Sequence, residues 1–149
     1  MERGISCSIY NCSNVIRTIL VALSEKYHSF YISWYNAIAK EKTLLPIASE
    51  DYIVSSEGLN DMVNATIWDV VLFAFPKDAE IVASFTTYED YQNSSCECCL
   101  IYYDCGELDV YLKDSELLNN MHKLLVEHNA ENFVILTDEN DRRDTLHIF

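Results

Sequence analysis

The segment Ile67-Trp-Asp-Val-Val-Leu-Phe-Ala-Phe75 is a nearly continuous apolar run, rich in β-branched and aromatic residues, and Pro76 bounds it. A run of this kind is typical of a strand that is covered on both faces. We therefore expect residues 67–75 to form the central strand of a sheet, with the other elements arranged around it.

The N-terminal part of the chain predicts a strand, a helix and a second strand. Apolar and polar residues alternate from Gly4 to Tyr10, which is the pattern of a strand with one buried face. Apolar residues then recur every three or four positions up to Lys26, with Ser13 or Asn14 as the N-cap, and this spacing predicts an amphipathic helix. Alternation returns from His28 to Ile38, and the simplest assignment pairs this strand with the first one.

The pattern from Lys40 to Ser55 is ambiguous, because Pro46 interrupts it. Tyr52-Ile-Val54 predicts a short strand. Ser56 is then expected to cap a helix that runs to about Asn64. The Gly58 inside that helix weakens its helical propensity.

The second half predicts a short helix, a hairpin and a longer helix. Thr86 or Thr87 is expected to cap a helix at Tyr88-Glu-Asp-Tyr-Gln92. Glu97–Tyr103 and Leu108–Leu112 predict a hairpin around the turn Asp104-Cys-Gly-Glu107, where Gly106 can take a positive φ angle. Asp114 or Ser115 then caps the clearest amphipathic helix in the chain, which we expect to end near Asn129.

Two final strands are expected at Asn132–Leu136 and Thr145–Phe149, joined by a charged turn at Asp138–Asp144. Strands and helices interleave along the chain, but hairpins are also present. We therefore predict an α+β (or α/β) fold, with one domain over residues 1–149 and a mixed β-sheet packed against two to four helices.

Composition restricts the classes of function. The net charge is −14, and most of the acidic residues follow Pro76. A field of this sign repels nucleic acid and anionic membranes and favours basic partners. No apolar run approaches the roughly 20 residues that span a bilayer, and the N-terminus does not have the pattern of a signal peptide. We expect a cytoplasmic protein whose six cysteines are free thiols.

The cysteines at 96, 98, 99 and 105 are the most tempting metal signal, because thiolates bind zinc. On a strand, however, Cys96 and Cys98 would point to one face and Cys99 to the other. No CxxC pair or nearby histidine completes a set of four ligands. We therefore interpret these residues as buried thiols and predict neither a metal nor a cofactor.

The charged turn has two interpretations. Its carboxylates lack the order of a calcium loop, so the turn is either a solvated hairpin that keeps an edge wet or a surface that binds a basic partner. The candidate binding residues are Asp138, Glu139, Asp141, Arg142, Arg143 and Asp144. The many tyrosines likewise fit either half-buried sheet positions or interface anchors.

Catalytic motifs are absent from the sequence: it has no glycine-rich phosphate loop and no Gly-x-Ser-x-Gly. An enzyme or small-ligand domain with a dispersed site remains the alternative hypothesis, with Asp104, Cys105 and His147 as its candidates. A third alternative is homo-oligomerisation through strand edges.

Three stretches resemble a family of small Bacillus proteins known as domain of unknown function 2691. They are Arg3-Gly-Ile-Ser6 with Ile9 and Asn11, Thr87-Tyr-Glu-Asp90 with the later Asp104-Cys105, and Thr137-Asp-Glu-Asn-Asp-Arg-Arg with its short apolar finish. The resemblance implies a compact cytosolic bacterial protein and suggests that the turn at 137–143 is a shared feature. It implies no catalytic residue. Our hypothesis is an acidic, non-enzymatic interaction protein that binds a basic protein, in the manner of an immunity protein or an inhibitor.

Overall fold

The computed structural model describes residues 1–10, 14–39, 42–44, 53–63, 66–81, 85–104, 106–143 and 145–146. Its strands are β1 (Glu2–Ser8), β2 (Ser29–Ala39), β3 (Lys42–Leu44), β4 (Ile53–Ser55), β5 (Thr66–Phe75), β6 (Cys98–Tyr103), β7 (Glu107–Leu112) and β8 (Glu131–Thr137). Its helices are α1 (Val15–Lys26), α2 (Ser56–Met62), α3 (Tyr88–Gln92) and α4 (Ser115–Glu127). The predicted α+β class is confirmed.

The strands form one sheet in the order β3-β2-β5-β6-β7-β1-β8, and β4 also pairs with β2. Every pair between described strands is antiparallel. The strands β1 and β2 run in the same direction, but β5, β6 and β7 lie between them, so the predicted pairing of β1 with β2 is wrong. Likewise, β1 separates β7 from β8. The helices α1 and α4 therefore each connect parallel strands that are not neighbours, and this explains why a mixed sheet was expected.

The strand β5 lies between β2 and β6 and is covered on both faces, as the apolar run predicts. Leu72 and Ala74 point to the first face, while Phe73 and Phe75 point to the second. All four are at most 1% exposed. A strand buried in this way has no solvent face to carry polar residues, which is why its sequence is continuously apolar.

The first face is covered by α1, α2 and α4. The predicted stripes are confirmed, because Ile19, Leu20 and Leu23 of α1 and Met121 and Leu125 of α4 all join the buried core. The side chain of Asp114 caps α4 by accepting from two backbone N–H groups. Ser55, rather than the predicted Ser56, caps α2.

The second face is covered by α3 and by the segments that flank it. Phe85 stacks on Phe73 with ring centroids 4.8 Å apart, and Tyr91 of α3 is 1% exposed. The predicted cap at Thr87 is confirmed. Its hydroxyl accepts from the backbone of Asp90, whose carboxylate accepts in return from the backbone of Thr87. This capping box satisfies the free N–H groups of a very short helix.

Two local predictions need correction. In the β6–β7 hairpin, the positive φ angle belongs to Asp104, at 52°, and not to Gly106. Glycine at 106 is needed for space, since an added Cβ would lie 2.1 Å from the ring of Tyr10. In β2, the register shifts between Ile32 and Trp34, so that Tyr35 enters the first core and Trp34 packs on the second.

Only the first two residues of the strand predicted at Thr145–Phe149 are described. Thr145 and Leu146 are not in a strand, and residues 147–149 lie outside the described part. Leu146 is 1% exposed in the second core, and its N–H donates to the carbonyl of Thr86 at 2.9 Å. The C-terminal segment therefore crosses the second face, because burying Leu146 there removes its apolar surface from water.

No helix in the described part of the chain combines the length and apolar character that crossing a membrane requires.

Candidate functional site

The turn after β8 is ordered by the side chain of Asn140. Its Oδ1 accepts from the N–H of Thr137 at 2.7 Å, and its Nδ2 donates to the carbonyl of Ile135 at 2.8 Å. The N–H of Asp141 also donates to the carbonyl of Thr137 at 3.1 Å. These bonds fix a compact turn, and they aim the side chain of Asp141 toward the second face of the sheet.

Asp141 lies at the centre of a charged cluster. Its side chain is 4% exposed. Its carboxylate accepts from the hydroxyl of Tyr111 at 3.0 Å, from the guanidinium of Arg3 at 3.4 Å and from the N–H of Arg143 at 3.1 Å. A carboxylate removed from water to this degree is stable in the fold only when such donors surround it.

Arg3 connects the turn to β1 and α3. It lies between the paired positions Glu2 and Gly4, where the register of β1 and β8 shifts. Its Nε donates to Asp138 at 2.9 Å, and its guanidinium carbon lies 4.0 Å from the centre of the Tyr88 ring. The hydrogen bond from Arg3 lowers the pKa of Asp138. Burial opposes the charge of Arg3, but the carboxylates outweigh it, so the pKa of Arg3 is raised.

Arg143 makes the second ion pair of the cluster. Its Nη2 donates to Asp109 of β7 at 2.5 Å, and its guanidinium carbon lies 5.5 Å from the centre of the Tyr103 ring. The two charged side chains are only 19% and 10% exposed. Burial alone would lower the pKa of Arg143, but the bond to Asp109 and the nearby charge raise it.

We call Arg3, Asp109, Tyr111, Asp138, Asp141 and Arg143 the arginine–carboxylate cluster. Two depressions border it and share Asp141 and Arg143. One, of about 500 Å³, is also lined by Arg3, Tyr88 and residues of α3. The other, of about 470 Å³, is also lined by Asp109 and other residues of β1, β6 and β8. Within the cluster, opposite charges compensate each other. It therefore holds β1, β7 and the C-terminal segment together.

Exposed acidic residues of α3 and of the turn flank the first depression, although the carboxylates of Asp90 and Asp138 also accept hydrogen bonds within the chain. Glu89 and Asp90 of α3 and Asp138 and Glu139 of the turn are exposed. The two pairs are neighbours, because Arg3 contacts both Asp138 and the ring at the start of α3. We call these four residues the acidic rim.

The predicted binding residues thus separate into two groups. Asp138, Asp141 and Arg143 make ion pairs inside the chain, whereas Glu139 and Arg142 are exposed. Asp144 lies outside the described residues. Their binding role stays a prediction, and the structure adds a structural role for three of them.

Sequence reasoning missed Arg3, Asp109, Tyr88 and Tyr111 as members of this site. In Glu107–Leu112, Asp109 and Tyr111 share one side of an alternating strand, which normally indicates a solvent face. The C-terminal segment covers that face. An acid flanked by Leu108 and Val110 was a weak signal of a buried ion pair.

The described cysteines, Cys7, Cys96, Cys98 and Cys99, are free and buried. Cys96 precedes β6 and packs in the second core with Cys99, so its predicted placement on the face of Cys98 is wrong. Burial raises the pKa of Cys96 to about 12 and the pKa values of Cys98 and Cys99 well above the usual range. Thiols held protonated in this way are poor nucleophiles and poor metal ligands.

Among the described residues, no group of three His, Cys, Asp or Glu side chains is arranged to hold a metal ion. Of the candidates for a dispersed enzyme site, Asp104 is exposed in the hairpin turn, while Cys105 and His147 lie outside the described part of the chain. That alternative stays a prediction.

The fold and its charged site define an α+β protein in which an ion-pair cluster ties the N-terminal strand to the C-terminal segment. Over residues 2–147 the chain matches the model of the family described as protein of unknown function (DUF2691), and it belongs to that family. The predicted resemblance is thereby confirmed.

A relative from Bacillus subtilis (strain 168), the uncharacterized protein YncE, is 32% identical over 77 residues. The match covers 52% of this chain and 50% of the relative, so it spans about half the length of each. No solved structure matches the chain.

Proposed function

We propose that the chain is a non-enzymatic interaction protein that binds a basic protein through the acidic rim, in the manner of an immunity protein or an inhibitor. The observation that carries this proposal is the position of the rim. Its carboxylates come from two elements far apart in sequence, and Arg3 brings them to one face. The net charge of −14 acts in the same direction.

The site contains buried, paired residues and exposed carboxylates, and this combination supports a binding role more than a catalytic one. The side chains of Asp141 and Arg143 are largely buried and are paired with Arg3 and Asp109, so they position the turn. Glu89 and Glu139 are exposed, and their side-chain carboxylates accept no hydrogen bond from the described residues. Exposed charges of this kind steer an oppositely charged partner and raise its association rate.

The range of this steering is short in the cell. Salt screens exposed charges beyond about 8 Å at physiological ionic strength. A partner must therefore present its basic residues close to the rim. The half-buried ring of Tyr88 lies beside Glu89 and supplies apolar contact area at the edge of the first depression.

We also place this interaction in the cytoplasm. The thiols of Cys96, Cys98 and Cys99, none of which is in a disulfide, support this assignment, because reducing compartments keep cysteines reduced.

The test is affinity capture from a Bacillus extract, with mass spectrometry of the retained proteins. The bait variant Glu89→Lys/Glu139→Lys reverses two rim charges. The control Glu25→Lys/Glu127→Lys makes the same change in net charge at exposed positions in the last turns of α1 and α4. A basic protein retained by the wild type and the control, but lost by the rim variant, is the expected result. Equal retention of the basic protein by both variants would refute the proposal that the acidic rim binds it.

A further inference from the structure

The strand β8 is an edge of the sheet, since it pairs with β1 on one side and with no described strand on the other. It carries the sequence Glu131-Asn-Phe-Val-Ile-Leu-Thr137, without proline or lysine. Val134 is 46% exposed. Natural edge strands are usually protected by charge, proline or a covering element, because their free backbone groups pair with other chains.

The hydrogen bonds show which backbone groups face outward. The carbonyl of Ile135 and the N–H of Thr137 bond to the side chain of Asn140, so they point away from β1. Successive residues of a strand direct these groups to opposite sides. The backbone N–H and carbonyl groups of Val134 and Leu136 therefore point toward β1.

Asn140 acts on this edge as a single residue of a neighbouring strand would act. Its carboxamide accepts from one outward N–H and donates to one outward carbonyl two residues away. The side-chain amide of Asn140 thus already makes two hydrogen bonds of the kind that a neighbouring strand would make to the edge of β8. The N–H of Ile135 has no such partner among the hydrogen bonds of the described chain.

The charges beside this edge select the partner. Glu131 begins β8, and Asp138 and Glu139 follow it, all three exposed. Asp138 and Glu139 also belong to the acidic rim, so the edge and the rim are continuous. A second copy of the chain would bring the same negative charges to the edge, and self-pairing is therefore disfavoured relative to a basic segment.

We propose that the outer edge of β8 binds an extended segment of a basic partner by strand addition, and that Asn140 is displaced when the segment pairs. This inference rests on the proposed function and adds the mode of binding to it. Main-chain bonds to β8 supply affinity. Phe133 and Val134 contact the segment on opposite faces of the sheet, and the basic ends of the segment meet the acids.

The test uses a synthetic peptide of alternating valine and threonine with two lysines at each end, titrated by calorimetry. Two further peptides of the same sequence are N-methylated, one at the odd-numbered and one at the even-numbered residues. One of the two therefore lacks the N–H groups that would face β8. We expect the unmodified peptide to bind and one methylated form to lose binding. Equal binding by all forms would show attraction by charge alone and would overturn strand addition.

Variants of the protein give a second arm. Asn140→Ala frees two groups on the edge, and the peptide should bind about fivefold tighter, the value of roughly one hydrogen bond. Asn120→Ala, at an exposed position on α4, should leave its affinity unchanged. Tightening in neither variant would contradict the role of Asn140.

The outcomes separate this inference from the proposed function. A captured basic protein that depends on Glu89 and Glu139, together with peptides that bind regardless of methylation, would leave the rim standing and reject the edge. A wild-type dimer in light scattering that the peptide dissociates would assign the edge to a second copy and overturn the proposed occupant.

Discussion

Replacing Arg143 by methionine should destabilise the protein by about 3 kcal/mol. The substitution keeps much of the apolar stem but removes the guanidinium that bonds Asp109 at 2.5 Å. Asp109 is 7% exposed, so its carboxylate would remain buried without its cation. Removal of one partner from a fully buried pair costs about 3–5 kcal/mol. The partial exposure of the two side chains places the expected value at the lower end of that range.

Two variants separate this cause from a general effect of losing an arginine. Arg142→Met removes the neighbouring, exposed arginine and should change stability by less than about 0.5 kcal/mol. Arg143→Met combined with Asp109→Asn replaces the orphaned carboxylate by a neutral amide. The double variant should therefore recover part of the loss, even though it carries more substitutions.

Urea unfolding followed by circular dichroism provides the measurement. With a slope of about 2 kcal/mol/M, a loss of about 3 kcal/mol lowers the midpoint by about 1.5 M. An unchanged slope would show that the comparison concerns the same two states. If Arg143→Met and Arg142→Met have the same midpoint, the ion pair to Asp109 does not stabilise the fold and our account of the cluster is wrong.

Four further predictions concern other parts of the chain. Thr87→Ala should cost about 1 kcal/mol in thermal unfolding through loss of the N-cap of α3. Hydrogen bonds, chiefly from the backbone N–H of Thr86, lower the pKa of Asp90 to about 2 from about 3.9 in the unfolded chain. The stability that the Asp90 carboxylate contributes is therefore complete above about pH 4 and is lost as the pH falls toward 2. Asp90→Asn should make the free energy of unfolding less dependent on pH in that range. Cys96, Cys98 and Cys99 should resist N-ethylmaleimide at pH 8 in the native protein and react in urea, because burial excludes the reagent and raises their pKa values. Peptide mapping identifies the labelled positions, and labelling of all three in the native state would contradict this. Gly4→Ala should destabilise strongly, since its Cβ would lie 1.9 Å from a backbone oxygen of β7. Gly58→Ala should stay within about 1 kcal/mol of the wild type, because the gain in helix propensity opposes a tight contact of 3.2 Å with the Cβ of Val54 in β4.

Elements with strong local signals could be predicted from the sequence. The apolar run at 67–75, the stripe of α4 and the capping box at Thr87 each depend on neighbours in the chain, and each is confirmed. The pairing of strands depends on contacts distant in sequence. The position of β1 between β7 and β8 follows from the way α1 and α4 cross the first face, and no local pattern encodes that arrangement.

Of the candidate site, only the residues of the turn after β8 could be predicted from the sequence. Consecutive charges identified residues 138–143, but not their direction. The sequence showed Arg142 and Arg143 as equivalent neighbours, whereas the structure exposes the first and buries most of the second. The difference arises because alternate residues of an extended segment that crosses a sheet face opposite sides, and only Arg143 meets the carboxylate of Asp109.

The inward position of the two arginines also bears on the charge of the surface. Arg3 and Arg143 are about one fifth exposed as side chains, at 21% and 19%, so their charges compensate internal carboxylates and leave Glu89 and Glu139 in excess on the rim. Arg143→Met should consequently weaken partner binding only through loss of folded protein. At a temperature where the variant is fully folded, its affinity for a captured basic protein should equal that of the wild type, while Glu89→Lys/Glu139→Lys should remain defective. If both variants lost affinity equally in the folded state, the cluster itself, and not the rim above it, would be the surface that contacts the partner.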